Sequence, residues 1–210
     1  MDTTADEIAP AGSHVRVEPS ILYFGTPVVL LSTLNQDGTP NLAPMSSAWA
    51  LGYTVVLGLG RSGQTLANLA RLGECVINLP SAELWLNVER LAPLTGRYPV
   101  PEAKSEQFSF EPQKFEAAGL TAQASQVVAP LRVAECPLQL EAEVVSITPI
   151  GAEETAASVE TRVVAVHATP EIVIEGTQRI DTDRWSPLLY VFRHYFGTGD
   201  ELGRSFRAER

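Results

Sequence analysis

A short polar turn between two apolar runs constrains the fold of this chain more than any other feature. The runs at 27–34 and 39–51 flank the tetrapeptide Asn-Gln-Asp-Gly at 35–38, and Asp-Gly is favoured in hairpin turns because it tolerates positive φ. A turn this short joins antiparallel neighbours, whereas parallel strands need a crossover of about a dozen residues or more. The sequence therefore predicts an antiparallel sheet that includes this hairpin.

The segment "GLGRSG" at 58–63 satisfies the G-x-G-x-x-G pattern of dinucleotide-binding βαβ units. A β-branched run precedes it and a helix-like segment at 64–72 follows it. That fold also needs an acidic residue about twenty positions further on, to meet the ribose hydroxyl. Asn78 stands there instead, and the upstream hairpin is antiparallel. We therefore interpret the match to a dinucleotide motif as coincidental.

The same residues are compatible with a different anion site. Arg61, Ser62 and Thr65 lie around the start of the predicted helix, where unpaired N–H groups and the helix dipole favour a phosphate. Hydroxyl groups and a guanidinium would add donors. The alternative is an ordinary helix start, with Ser62 or Thr65 as the cap and Arg61 solvated.

The rest of the chain is interpreted as one β-rich domain over 15–210, preceded by a flexible tail over 1–14. Fifteen Gly and fifteen Pro are spread through the 210 residues, which indicates many turns. Further predicted elements are strands at 75–79, 139–147 and 159–167, a helix at 82–91 and a helical turn at 114–120. Residues 93–113 are predicted to form a long loop, and such a loop is often a lid or a ligand-binding element.

Composition excludes several classes of function. The net charge of −10 argues against a general nucleic-acid surface, because phosphate binding needs clustered Lys and Arg. The sequence shows neither a signal peptide nor an apolar run of eighteen residues, so we expect no membrane span and a cytoplasmic location. Cys75 and Cys136 lie in apolar runs, which predicts buried, reduced thiols. The histidines at 14, 167 and 194 lack metal-ligand spacing, and no nucleophile motif of a hydrolase is present.

Three ordered segments, with the closing segment from about 181, resemble the flavin reductase family with the FMN-binding split-barrel fold. The segments are Asn41-Leu42-Ala43-Pro44-Met45-Ser46, Thr65-Leu66-Ala67-Asn68 and Asn78-Leu79. The resemblance covers about residues 20 to 200. It implies a mainly β fold, a six-stranded antiparallel Greek-key split barrel with flanking helices. It also implies a homodimer with its two flavin sites near the subunit interface.

The resemblance also implies which residues hold the cofactor, FMN or else FAD. Arg61, Ser62 and Thr65 would contact the phosphate and ribityl end, with Asn68 in support. The residues along the isoalloxazine would be Asn41, Ala43, Pro44, Met45, Ser46 and Ser47. The chain departs from members that carry Lys-Asp-Thr before the helix, and Arg61 is the candidate replacement for that lysine. For 41–49 the alternative is an ordinary strand whose proline marks a sheet edge or a bulge.

The activity implied by the resemblance is that of an NAD(P)H:flavin oxidoreductase. The nicotinamide, a transient cosubstrate, would transfer hydride to flavin N5, and the electrons would pass to free flavin or to a partner monooxygenase. The alternatives are an FMN-binding electron carrier, an FMN-dependent oxidase or oxygenase without direct use of NAD(P)H, and a binding module without flavin.

A few other side chains are weaker candidates for a part in this chemistry. His167, at the end of a predicted strand, is the weak catalytic candidate. Lys104 and Lys114 flank the long loop and could meet the phosphates of a nicotinamide cofactor, or could simply be solvated. The aromatic segment at 186–206 is expected to lie in the core, to cover the flavin or to cover the partner subunit.

Overall fold

The computed structural model describes residues 14–203 together with Gly12 and Ser205. Apart from Gly12 and His14, the predicted flexible tail over 1–14 lies outside the described residues. The strands are β1 Phe24–Pro27, β2 Val29–Leu34, β3 Pro40–Met45, β4 Ala48–Leu51, β5 Thr54–Gly60, β6 Glu74–Leu79, β7 Leu94–Thr95, β8 Ser109–Phe110, β9 Ala122–Gln123, β10 Arg132–Val133, β11 Leu138–Ile150, β12 Ala156–Ala168, β13 Leu189–Val191 and β14 His194–Phe196. The helices are α1 Gln64–Leu72, α2 Trp85–Leu91 and α3 Lys114–Ala118, and short 3₁₀ turns occupy Ala82–Leu84, Glu102–Lys104 and Pro170–Ile172.

The main sheet is antiparallel throughout and has the strand order β3-β2-β6-β11-β12-β5-β4. The predicted mainly β, antiparallel architecture with flanking helices is therefore confirmed. The predicted number of six strands is wrong, because this sheet has seven. The difference arises at residues 39–51, which form two strands, β3 and β4, rather than one.

The sheet is curled, because its two edge strands are consecutive in the chain. Only Ser46 and Ser47 separate β3 from β4, yet these strands stand at opposite ends of the sheet order. The edges must therefore meet at this corner, where the N–H of Gly58 on β5 donates to the Ser47 carbonyl at 2.7 Å. No ladder of hydrogen bonds joins β3 to β4 within the described residues, so the barrel-like sheet stays open along the rest of its edges.

Apolar side chains pack on both faces of the curled sheet. One cluster combines strand residues such as Leu31 and Leu57 with Leu66 and Leu69 of α1. A second cluster combines residues of β2 and β3 with α2 and α3, and includes Leu42, Val88, Leu91 and Phe115. Burial of side chains of this size stabilises the fold by about 1.5–3 kcal/mol each.

Most of the local predictions match the structure. The helix over 64–72, the hairpin around 35–38, the strand near 75–79 and both long strands are confirmed. Residues 93–113 are largely irregular, as predicted, and a short parallel pair of β7 and β8 closes them. The aromatic C-terminal segment forms a hairpin of β13 and β14, and part of it is exposed rather than core.

Both cysteines are free and buried, which confirms the sequence prediction. Burial, with a smaller contribution from Glu74, raises the pKa of the Cys75 thiol to about 12. Burial likewise raises the pKa of Cys136. No helix of the described residues is long and apolar enough to cross a membrane.

A buried carboxylate anchors the loop at 124–131. Glu141 on β11 is fully buried, and its oxygens accept hydrogen bonds from the N–H groups of Gln126, Val127 and Val128 at 2.6–3.1 Å. Its Oε1 also lies 2.7 Å from Nε2 of His167. Burial alone would raise the pKa of Glu141, but these hydrogen bonds outweigh it and hold the pKa below its usual value.

We predict that Glu141→Gln removes part of the acid sensitivity of the fold. A carboxyl whose pKa is lowered on folding stabilises the protein above its unfolded pKa of about 4.3, and this contribution is lost as pH falls. The variant should therefore be about 2 kcal/mol less stable at pH 7, and the gap should narrow as pH falls below 4. Urea unfolding of the variant and the parent, at pH 7 and at a pH below 4, measures this difference in the free energy of unfolding. Glu143→Gln on the same strand is the control, and an equal gap at both pH values would contradict the prediction.

Candidate functional site

Strand β3 presents one free edge. Among the residues that the structure describes, it pairs with β2 alone, in a register that sets Asn41 opposite Thr33 and Met45 opposite Val29. Pro40 and Pro44, which lack an N–H, both lie on this strand, and an edge is where a sheet tolerates proline. The prolines thus lie at a sheet edge, one of the two places that the alternative for 41–49 named, and this position is equally compatible with a ligand along the strand. The backbone groups on the outer side of β3 are available to a ligand or to another chain.

The start of α1 carries no side-chain cap. The N-cap residue is Gly63, which has an extended conformation and no side chain that could form a capping hydrogen bond. The interpretation with Ser62 or Thr65 as the cap is therefore wrong. The first turn of α1 holds no acidic residue, so the positive end of the helix dipole is not neutralised locally. The N–H groups of this turn can bind an anion.

Arg61 lies beside this helix start and has a replaceable partner. Its Nη1 donates to the carbonyl of Glu154 at 3.2 Å and to Oε2 of Glu154 at 3.0 Å. About half of the Arg61 side chain and more than half of the Glu154 side chain are exposed. An exposed pair of this kind contributes little to stability. The guanidinium can therefore turn to an anion at small cost.

A buried polar junction joins α1 to β2 and β3. The amide Nδ2 of Asn41 donates to the hydroxyl oxygens of Thr33 at 3.2 Å and of Thr65 at 3.1 Å. The amide Nδ2 of Asn68 donates to Thr33 at 3.1 Å and to Oδ1 of Asn35 at 2.9 Å. Asn41, Thr65 and Asn68 are all buried. The sequence-predicted site residues are thus brought together, but the side chains of Asn41 and Asn68 hold the helix in place.

The long loop reaches this junction through Gly96. A Cβ added to Gly96 would come into very close contact with Oδ1 of Asn41 and within 3.6 Å of the Gln64 Cβ. Oδ1 of Asn41 is buried and has no hydrogen-bond partner among the described residues. Arg97 follows directly and is exposed. Two residues of this junction, Thr33 and Gly96, were not predicted from the sequence, because only the folded contacts bring them to Asn41.

Residues 43–47 continue from this junction towards the corner of the sheet. Ala43 and Pro44 are half-buried, and Ser46 is buried. Met45 packs against the apolar cluster that contains Leu31 and Leu57. Ser47 contacts β5, where a Cβ added to Gly58 would lie 3.0 Å from the Ser47 Cβ. The first glycine of "GLGRSG" therefore allows β5 to approach Ser47.

His167 is not part of this region. It pairs with Gln139 near one end of β12, whereas Ala156 at the other end pairs with Gly60. At about 3.3 Å per residue the two positions are about 35 Å apart along the strand. Its ring contacts the buried Glu141, so the structure gives His167 a part in anchoring the loop at 124–131.

The two lysines of the loop region differ in their surroundings. Lys104 lies over the Phe108 ring, with Nζ 5.5 Å from the ring centroid. Lys114 is only 4% exposed, so the interpretation of a solvated side chain is wrong for it. Burial and the charge of Lys104 lower the pKa of Lys114 to about 8, with a smaller opposing effect of Glu111.

Comparison with known proteins identifies the family of this chain. The sequence profile described as "Flavin reductase like domain" matches residues 21–199. The chain belongs to the flavin reductase-like family. The resemblance drawn from the three ordered segments is thereby confirmed.

Relatives and solved structures extend the comparison of this flavin reductase-like chain. It is 47% identical to the "Uncharacterized protein YdfE" of Bacillus subtilis (strain 168) over 194 residues, which are 92% of this chain and 93% of the relative. Its fold is similar to that of flavoredoxin from Desulfovibrio vulgaris (Miyazaki F), with a TM-score of 0.77, 19% identity and coverage of 93% and 99% of the two chains. It is also similar to nitrilotriacetate monooxygenase component B from Bacillus cereus, with a TM-score of 0.71, 21% identity and 89% coverage of both chains.

We predict that Gly96→Ala disturbs the polar junction. The added methyl group would press on Asn41, and overpacking of a close contact costs about 1–3 kcal/mol. Thermal unfolding should show a lower Tm for this variant. Gly199→Ala is the matched control, because its Cβ meets no atom within 4 Å. An unchanged Tm for Gly96→Ala would contradict the described approach of the loop to Asn41.

Proposed function

We propose that this flavin reductase-like chain binds FMN, with the cofactor phosphate at the start of α1. The observation that carries the proposal is an uncapped helix N-terminus with no acidic residue in its first turn and with Arg61 beside it. N–H groups and a guanidinium are the donors that a phosphate requires. Ser62, directly before the N-cap residue, is exposed, and its hydroxyl would add a further donor.

The isoalloxazine ring would lie along β3, from Asn41 towards Ser47. The outer side of this edge strand offers unpaired carbonyl and N–H groups, and a flavin ring edge carries both donors and acceptors. The two prolines reduce the number of N–H groups on the strand without removing its carbonyls. The residues present therefore suit both parts of FMN, with the phosphate at the start of α1 and the ring along β3.

When bound, the flavin would supply the electron chemistry by accepting hydride from a reduced nicotinamide. The chain would bind the cofactor, orient it and leave one ring face open for stacking. Hydride transfer of this kind requires no protein acid or base. His167 contacts Glu141 and lies about 35 Å along β12 from Ala156, the residue that pairs with Gly60. The proposed chemistry does not require it.

The electrons would pass to free flavin or to a partner monooxygenase. The fold likeness to a monooxygenase component B supports this route. The fold likeness to a flavoredoxin supports the second candidate, an FMN-binding electron carrier without direct use of NAD(P)H. The two candidates share the flavin site and differ only in the source of electrons.

We further propose a homodimer. Trp49, Leu51 and Tyr53, on or directly after the edge strand β4, are 58%, 75% and 72% exposed. Large apolar side chains clustered on a sheet edge favour pairing with another chain. We also propose a cytoplasmic location, since two free buried thiols suit a reducing compartment.

The double variant Arg61→Ala, Thr65→Ala should weaken FMN binding by about tenfold to a hundredfold, because it removes a charged donor beside the start of α1 and the Thr65 hydroxyl, which accepts from Asn41 in the first turn of that helix. Fluorescence titration of flavin measures the dissociation constant. Arg162→Ala, which removes an exposed arginine of β12 that pairs with Glu143 of β11, should leave the affinity unchanged. Equal affinity in the double variant and the parent would move the phosphate site elsewhere.

Anaerobic addition of NADH or NADPH to the FMN-loaded protein should bleach the flavin absorbance. Bleaching by either nicotinamide supports the reductase and identifies its cosubstrate. A yellow protein that neither nicotinamide bleaches would contradict the reductase and favour the carrier. A protein that takes up no flavin would overturn both candidates.

A further inference from the structure

A cavity of about 590 Å³ lies between α2 and the C-terminal hairpin, outside the residues assigned to the flavin. Its volume falls within the range of about 300–1,000 Å³ that is typical of small-molecule sites. The residues that matter for its chemistry are Trp85, Glu89, Leu188, Arg193, Tyr195 and Phe196. Neither the flavin proposal nor the loop anchored by Glu141 uses any of them.

Aromatic rings form much of the cavity wall. Trp85 and Tyr195 lie with their ring centroids 6.3 Å apart, and Trp85 and Phe196 remain 44% and 51% exposed. Partly exposed aromatic rings in a cavity wall suit a planar aromatic ligand, which can stack or pack edge to face. The wall therefore favours a planar ring over a flexible chain.

The charges of the cavity differ in how they are engaged. Oε2 of Glu89 accepts a hydrogen bond from the Tyr195 hydroxyl at 3.0 Å, so this carboxylate already has a partner. Burial, followed by the interaction with Glu89, raises the pKa of Tyr195 and keeps its hydroxyl in the donating form. Arg193 is exposed and forms no ion pair with any described residue. Its guanidinium is free to bind an anion as a fork.

The backbone at Arg193 has a positive φ angle, which is unusual for this residue type. Phe192 and Arg193 form the two-residue turn between β13 and β14, and their φ values are +43° and +72°. Positive φ at both central residues normally selects Asn and Gly, because other side chains are strained there. A non-glycine residue held in this conformation at the wall of a cavity suggests that its side chain serves a function.

The position of the cavity relative to the sheet is also defined. Leu188, which lines it, accepts a hydrogen bond from the N–H of Val28 at 2.8 Å. Val29 pairs with Met45. The cavity therefore lies towards the Met45 end of the β2–β3 pair, away from the Asn41 end where α1 begins.

We propose that this cavity binds a planar aromatic ring that carries an anionic group, with the ring against the aromatic wall that includes Trp85 and Phe196 and the anion on Arg193. The group is a carboxylate of an aromatic acid or a phosphate of a nucleotide, and both share this chemistry. The proposal does not depend on the flavin, so its failure would leave the proposed function untouched.

Isothermal titration calorimetry on the full chain tests it with three probes: benzoate, adenosine 5′-monophosphate and uncharged benzamide. Benzoate or the nucleotide should bind in the millimolar range or tighter, and benzamide should bind at least tenfold more weakly. The anion whose binding weakens in the Arg193 variants identifies the source of the ligand, because binding at the phosphate site proposed at the start of α1 would not depend on Arg193. Heat from neither anion, or equal binding of benzamide, would overturn the proposal.

Two substitutions separate ligand binding from folding. Arg193→Gly and Arg193→Asn suit positive φ, so the Tm should stay equal or rise. The affinity for the anionic probe should fall about tenfold or more, as expected for loss of a charged donor. Arg162→Ala should leave the affinity unchanged. An unaltered affinity in both Arg193 variants would overturn the proposal, even where their stability increases.

Discussion

The hydroxyl oxygen of Thr33 is the point on which the candidate site depends. It accepts hydrogen bonds from the amides of Asn41 on β3 and Asn68 on α1, and Asn41 also donates to Thr65. Apolar packing of Leu66 and Leu69 brings α1 to the sheet, but apolar contacts have little directionality. Buried amides must be satisfied, so the junction fixes how the helix lies and where its N-terminus points.

The curl of the sheet gives this junction its surroundings. Because β3 and β4 are joined by two residues, the corner at Ser47 brings β5 next to the end of β3. The chain then leaves β5 at Gly60 and enters α1 at Gln64. An edge strand with free backbone groups and a helix start with free N–H groups therefore stand side by side. Neither feature alone indicates a cofactor, and their proximity is what supports an elongated ligand with one phosphate.

Local signals in the sequence were enough for much of the fold. The Asp-Gly turn predicted the β2–β3 hairpin, and the apolar spacing of 64–72 predicted α1 with its observed bounds. The seventh strand could not be predicted, because no Gly, Pro or Asn marks the break at Ser46 and Ser47. The C-terminal hairpin was missed for the same reason, since Phe192 and Arg193 are not turn residues by composition.

Long-range contacts account for the rest. Glu141 and His167 are 26 positions apart in the chain, and only the register of β11 and β12 brings them together. The approach of Gly96 to Asn41 depends on how the loop folds back over β3. Lys114 begins a five-residue helix that packs on the sheet, so it is buried although a lysine beside a polar loop is usually solvated. In the motif "GLGRSG", Gly58 allows β5 to approach Ser47, and Arg61 lies just before the start of α1, where the phosphate is proposed to bind.

The proposed binding of one terminal phosphate at the start of α1 can be tested by comparing the affinities of the protein for FMN and for riboflavin. The two ligands carry the same ring and the same ribityl chain and differ only in the phosphate. We expect FMN to bind at least about tenfold more tightly than riboflavin, in keeping with several charge-assisted hydrogen bonds. Arg61→Ala should reduce this ratio. Equal dissociation constants for FMN and riboflavin would contradict the binding of the phosphate at the start of α1.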